Sequence, residues 1–175
     1  MRVALSLVVL VTIAAAGSLS AQHIRFGIGG GLLVPLSDYR GADKMGVLIG
    51  ADATIPLSAV LDIRVAGDFS QTSHKSGVAG HTTLDGGLAE LVYSFGHQVS
   101  PVLPYLQGVV GYMHGTFATT QLGTGTQNKI VFGLGGGVAF RLGTGNTRVF
   151  VESRWQRFQS NPSLQMVPIR AGFRF

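Results

Sequence analysis

Val167-Pro168-Ile169-Arg170-Ala171-Gly172-Phe173-Arg174-Phe175 is the stretch on which the fold turns. Successive side chains of an extended strand point to opposite faces. Val167, Ile169, Ala171, Phe173 and Phe175 therefore share one face, and Pro168, Arg170, Gly172 and Arg174 share the other. One face is greasy; the other carries arginine and small residues. Upstream, the same period of two recurs in Gln22–Val34, Lys44–Ile55, Leu61–Ser70, Thr82–Phe95, Tyr105–Phe117, Lys129–Leu142 and Arg148–Phe158, which with Met166–Phe175 makes eight runs. Polar breaks rich in Gly, Pro, Asn, Ser and Thr separate them. No helical periodicity lies between the runs, which excludes βαβ folds.

The two-faced pattern is plain in several runs. Leu61, Ile63, Val65, Gly67 and Phe69 oppose Asp62, Arg64, Ala66, Asp68 and Ser70. Met45, Val47, Ile49, Ala51, Ala53 and Ile55 oppose Gly46, Gly50, Asp52 and Thr54. Ile130, Phe132, Leu134, Val138 and Phe140 oppose Gly133, Gly135, Gly137, Ala139 and Arg141, and Val149, Val151 and Trp155 oppose Glu152, Arg154 and Gln156. The fifth run reads both ways: Leu106, Val110 and Tyr112 compete with Val109, Met113 and Phe117 for the apolar face.

Composition decides which face points outward. The chain has 175 residues, 46% hydrophobic and only 12% charged, with 26 glycines, no cysteine and a formal charge of +5. A soluble surface carries roughly a quarter to a third charged residues, well mixed. Here the only lysines are Lys44, Lys75 and Lys129, and the only glutamates Glu90 and Glu152. The polar faces are mostly Gly, Ala, Thr and Ser with single charges set apart. Apolar side chains facing lipid, and small or paired polar ones filling a narrow lumen, satisfy this pattern. Strands of about 9–11 residues match a bilayer crossing, and an even strand number leaves no backbone group unpaired in hydrocarbon. The fold expected is an all-β, closed antiparallel up-and-down transmembrane β-barrel of eight strands.

Loop lengths and aromatics fit. Pro35–Asp43, Gln71–His81, Ala118–Asn128 and Gln159–Gln165 read as longer polar loops; Pro56–Val60 and Gly143–Thr147 are short, and Gly96–Pro104 is an exception. Long loops on one side and short turns on the other is the layout of such barrels, with both termini on the short-turn side. Phe26, Phe69, Phe95, Phe140, Trp155, Phe173 and Phe175 fall near run ends, where interfacial girdles sit. At the N-terminus, Met1-Arg2, the apolar run Val3–Ala16 and the small residues before Gln22 have the layout of a secretory signal peptide. Residues 1–21 are expected to be cleaved, leaving 22–175 as one barrel domain.

By these residues the chain resembles the small OmpA/OmpX-type eight-stranded outer-membrane β-barrels of Gram-negative bacteria. The resemblance spans the whole mature chain and is strongest at its end, where Phe173 and Phe175 are similar to the signal read by the barrel-assembly machinery. The run Phe150-Val151-Glu152-Ser153-Arg154-Trp155 looks like the penultimate strand of these proteins. The resemblance implies an outer-membrane location with both termini periplasmic. It also implies chaperoned periplasmic transit. It does not imply one activity, since such barrels include anchors, adhesins, small pores and lipid-modifying enzymes.

The candidate functional residues are the lumen charges. By parity, Arg25, Asp52, Asp62, Arg64, Asp68, Glu90, Arg141, Glu152, Arg154, Arg170 and Arg174 face inward, five carboxylates and six arginines. An eight-stranded interior is just wide enough for side chains, so these charges must pair or meet water. An ion-pair plug is the reading adopted; a conducting lumen is its alternative. Gly27-Ile28-Gly29-Gly30-Gly31 and Gly133-Leu134-Gly135-Gly136-Gly137 lack the following helix that a nucleotide loop needs, and no cofactor is expected. His74 and His81 share one loop without a cysteine or nearby carboxylate, a weak metal signal. A lipid-directed hydrolase would draw on His114, Glu152 and Ser153, but neighbours on a strand point to opposite sides; Ser160 is the substitute. A secreted barrel holding a small apolar ligand is the remaining alternative, with the opposite sidedness. Arginines dispersed by alternation do not make the continuous patch that nucleic acid requires. Lys44, Lys75 and Arg157 stand at the rims, where anionic lipid head groups would lie. A monomeric, non-enzymatic barrel contacting outer-membrane lipids is the expectation.

Overall fold

A computed structural model describes residues 24–75, 80–119, 123–159 and 164–175. The expected signal peptide, 1–21, lies outside them, as does Ser160. All eight alternating runs form strands: β1 (Arg25–Leu36), β2 (Gly46–Pro56), β3 (Leu61–Ser73), β4 (Gly80–Ser94), β5 (Val102–Thr119), β6 (Gly123–Arg141), β7 (Arg148–Phe158) and β8 (Gln165–Arg174). Each pairs antiparallel with its sequence neighbours, and β8 returns to β1, so the sheet closes into an eight-stranded up-and-down barrel. The closing seam runs from Gly27↔Arg174 to Leu36↔Gln165. Phe26 and Phe175 seal its lower end with two backbone hydrogen bonds of 2.8 Å. That end, holding both chain termini of the barrel, is called the terminal end; the opposite one is the loop end.

Sidedness follows the parity of the sequence. Phe26, Ile28, Ile49, Phe69, Leu91, Leu134 and Phe173 all stand out from the wall, and Leu134 is 67% exposed. Arg64, Arg154 and Arg170 are among the most buried side chains, at 1–2% exposure. The fifth run resolves in favour of Leu106, Val110 and Tyr112 outward, with Val109 and Met113 inside. Its ambiguity has a physical cause. The loop-end half of the lumen is itself apolar, packed with Leu33, Tyr39, Leu84, Leu88, Val109, Met113, Val131, Phe158 and Met166. The expectation of a lumen filled only by small and polar groups is corrected here: charges occupy the middle, between this cluster and a second one of Val92, Leu103, Tyr105, Ala139 and Phe150 near the terminal end.

The loops also depart from expectation. The break at Ala118–Asn128 is largely strand: β5 and β6 stay paired up to Thr119↔Gly123. Thr124, Thr126 and Asn128 are exposed, and water on both faces removes the apolar alternation without removing the backbone pairing. Among the described residues, register pairing of β6 with β7 begins at Val131↔Phe158, with one further bond from Gln159 N to the Ile130 carbonyl at 2.9 Å, and none of them pairs with the outer part of β6 on that side. The connection after β4 shortens to 95–101 because β5 opens at Val102. The first loop contains a short helix, α1 (Ser37–Ala42), entered through Ser37 at φ 50°.

Candidate functional site

The middle of the lumen is built by positions that alternate inward along the strands, and glycine decides where side chains fit. An added Cβ at Gly27 would stand 2.6 Å from Asp52 Oδ1, at Gly50 2.2 Å from Asp68 Oδ1, and at Gly135 2.8 Å from Arg154 Cγ. The inward glycines of β1, β2 and β6 therefore act as cut-outs in the wall that make room for the side chain of the residue paired with each on the neighbouring strand. Gly137 does the same for Tyr105: its Cβ would lie 2.6 Å from the phenol oxygen and 2.6 Å from the Val151 carbonyl. Gly137→Ala is expected to destabilise the barrel by about 1–3 kcal/mol through overpacking. Gly87→Ala, where nothing lies within 4 Å, should be neutral or slightly stabilising. Urea titrations of the two variants in one detergent would check the contrast.

Into this space four carboxylates and four arginines converge in one connected network. Asp52 lies 2.6 Å from Arg170, 3.1 Å from Arg174 and 3.8 Å from Arg64. Asp68 meets Arg154 at 2.5 Å and Arg170 at 3.5 Å. Glu90 pairs with Arg64 at 3.0 Å and with Arg154. Glu152 accepts from Arg64 at 3.0 Å, from Arg170 Nε at 3.0 Å and from the Tyr105 hydroxyl at 2.7 Å. Arg170 and Arg174 lie over the Phe150 ring at 5.1 and 4.3 Å, and Arg64 over Tyr105 at 5.5 Å. The charges sum to zero. Planar guanidinium forks can serve several carboxylates at once, which an ammonium does less well.

Arg25 and Asp62 form a separate pair of 2.8 Å at the terminal end, where Arg25 also bonds Gln98. Arg141 is a correction: it makes no ion pair among the described residues. Standing at the last position of β6, it has passed the charged layer, and it donates instead to the carbonyls of Gly145 at 3.1 Å and Val99 at 3.2 Å. Arg148 was missed, although Glu152 and Arg154 share its parity. It is buried and donates to the Ser100 carbonyl at 3.0 Å and to Gln98 O. Tyr105, Gln107 and Phe150 were missed as well; Gln107 accepts from Arg64 at 3.1 Å.

The other candidates scatter. Ser153 points outward and Glu152 inward, so they build no catalytic group. His114 faces out of the barrel and meets Asn128 Oδ1 at 2.5 Å. His74 does have a carboxylate beside it, contrary to the sequence reading, because the first loop brings Asp43 to 2.5 Å. Thr72 donates to the same carboxylate at 2.5 Å, and Tyr39 lies 3.0 Å from Thr72. Burial pushes the Tyr39 phenol well above its ordinary value. His81 is exposed across from Ser73. Among the described residues no three His, Asp or Glu side chains are placed to hold a metal.

A closed antiparallel eight-stranded barrel with apolar side chains outside and charge within has the fold of the small outer-membrane β-barrels. No protein-family model and no curated sequence matches the chain. Among solved structures, Neisserial surface protein A (NspA) superposes with a TM-score of 0.68 at 17% identity, covering 86% of this chain and 95% of that one. The N-terminal β-barrel domain of Pseudomonas aeruginosa OprF does so at 0.52 and 16%, covering 87% and 96%. Ail, the attachment invasion locus protein of Yersinia pestis, does so at 0.51 and 15%, covering 87% and 99%.

Proposed function

We propose that this chain is a non-enzymatic, integral outer-membrane barrel whose lumen is plugged and whose work is done at its outer surface. The observation that carries the reading is the neutral network of buried Arg and Asp/Glu side chains, stacked against an apolar layer that fills the loop-end half. The close burial of the four arginines and four carboxylates, each 6% exposed or less, supports a plug. What remains for interaction is the loop end, where β5 and β6 stay paired and the outer part of β6 meets no described residue of β7. The similarity in fold to a Neisserial surface protein and to an attachment protein supports a surface role.

The same reading places both termini in the periplasm after removal of residues 1–21, with periplasmic chaperones and the barrel-assembly machinery as biogenesis partners. Phe173 and Phe175 serve as the assembly signal; both are exposed on the outer wall beside the closing seam. A monomer in contact with outer-membrane lipids suffices for this role. The expected result is that only detergent extracts the protein, that an unboiled sample migrates differently from a boiled one, and that planar bilayers carrying it stay electrically silent. Extraction by carbonate would defeat the membrane reading; steady single-channel steps would defeat the plug.

A further inference from the structure

We propose that the loop end of β1–β3 carries a binding site for the phosphate group of a membrane lipid, a site that rests on the reading of the chain as a membrane barrel. Arg40, Lys44 and Lys75 surround a groove of about 490 Å³ whose floor includes Val34, Leu36 and Met45. All three cations are exposed, and among the described residues none pairs with a carboxylate. The acid between them, Asp43, is 1% exposed and turned inward onto Thr72 and His74. Among the described side chains, no carboxylate therefore offsets these cations at the surface.

Their backbone is fixed. Lys75 N donates to the Ala42 carbonyl at 2.8 Å and Lys75 Nζ to the Arg40 carbonyl at 2.5 Å, while Lys44 N donates to Ser73 O at 2.8 Å. These bonds tie α1 and the start of β2 to the end of β3. They bring Arg40, Lys44 and Lys75 to the lining of one groove, where each can offer an N–H donor to a phosphate.

The floor selects the source of the phosphate. Met45 is 58% exposed and Val47 63%, both on the outward face of β2, and Leu32 stands outward opposite Val47. The apolar floor thus runs without a break from the cations down the lipid-facing wall. A free phosphate would leave it uncovered; a lipid would lay its acyl chain along it. Lys44 immediately precedes Met45, the apolar outward residue nearest the loop end of β2, so the charges sit at the hydrocarbon boundary, where each cation strengthens attraction to an anionic lipid about five-fold.

The test uses the full mature barrel in phosphatidylcholine nanodiscs containing lipid A or its fully dephosphorylated form. Lipid co-released with the protein is counted by native mass spectrometry. The wild type should retain lipid A and not the dephosphorylated form. Combining Arg40→Gln, Lys44→Gln and Lys75→Gln should weaken retention about a hundred-fold, while Lys129→Gln on β6, outside the groove, should leave it unchanged. Equal retention of both lipids, or equal retention by wild type and triple variant, would overturn the site. So would displacement of lipid A by millimolar inorganic phosphate, which would mean an anion site without an acyl contribution. The gel shift between boiled and unboiled samples separates the two readings. A wild type that does not insert overturns the membrane barrel and the site together; insertion without lipid discrimination overturns the site alone.

Discussion

Replacing Glu152 by alanine should destabilise the barrel by about 3–5 kcal/mol, the loss typical of removing one partner from a buried ion pair. The carboxylate is 2% exposed and holds Arg64, Arg170 and the Tyr105 hydroxyl at 2.7–3.0 Å, with Arg174 at 3.7 Å. Without it three guanidinium groups face each other with one negative charge fewer, in a space closed above by an apolar layer. On the terminal side, among the described residues, only a cavity of about 20 Å³ beside Arg64 and Arg174 offers room for water to compensate. The matched comparison is Arg25→Ala. Arg25 retains 18% side-chain exposure beside Asp62, so water screens the loss and about 1 kcal/mol or less is expected. Urea titration in detergent micelles, followed by the fluorescence of the single tryptophan Trp155, measures both. Equal small losses for the two variants would mean a hydrated lumen and would remove the argument for a plug.

The contrast between these two sites shows how far a sequence reaches. Parity alone placed Asp52, Arg64, Asp68, Glu90, Glu152, Arg154, Arg170 and Arg174 on the inner wall, because each belongs to a run whose opposite face is plainly apolar. Parity does not say who meets whom. Arg154 and Glu90 are 64 positions apart, and Arg174 and Asp52 are 122 apart; their contact depends on the register of non-adjacent strands across the lumen. Parity also carries no height. Arg141 shares the inward phase of Ala139 and Arg148 that of Glu152, but the two are register partners at the terminal end, past the charged layer, and both donate to backbone carbonyls. The fifth run stayed ambiguous for a related reason. Where the lumen itself turns apolar, at Val109 and Met113, both faces of a strand look alike and the period of two fades. The hairpin beyond Phe117 is the converse case, polar on both faces because both meet water. The Asp43–His74 contact joins two loops, and nothing in local sequence announces it.

The largest expected effect of a change outside the lumen is that of Leu134→Arg. Leu134 is 67% exposed, faces away from the lumen, and lies midway along the outward series Ile130, Phe132, Leu134, Gly136, Val138 and Phe140 of β6, across from Trp155 on β7. On a protein surrounded by water, so exposed a leucine could become arginine with a change within about 0.5 kcal/mol. In a bilayer the same substitution brings a guanidinium to the hydrocarbon midplane, and folding into vesicles should weaken by about 2–4 kcal/mol. The effect should depend on depth. Thr126→Arg stands on the same strand in the hairpin beyond the wall, where its neighbours are polar and exposed, and about 0–1 kcal/mol is expected there. Urea titrations of the two variants in phosphatidylcholine vesicles would read that gradient along a single strand. A loss near zero at Leu134 would put its side chain in water, and the charge buried on the opposite face would then belong to a soluble barrel.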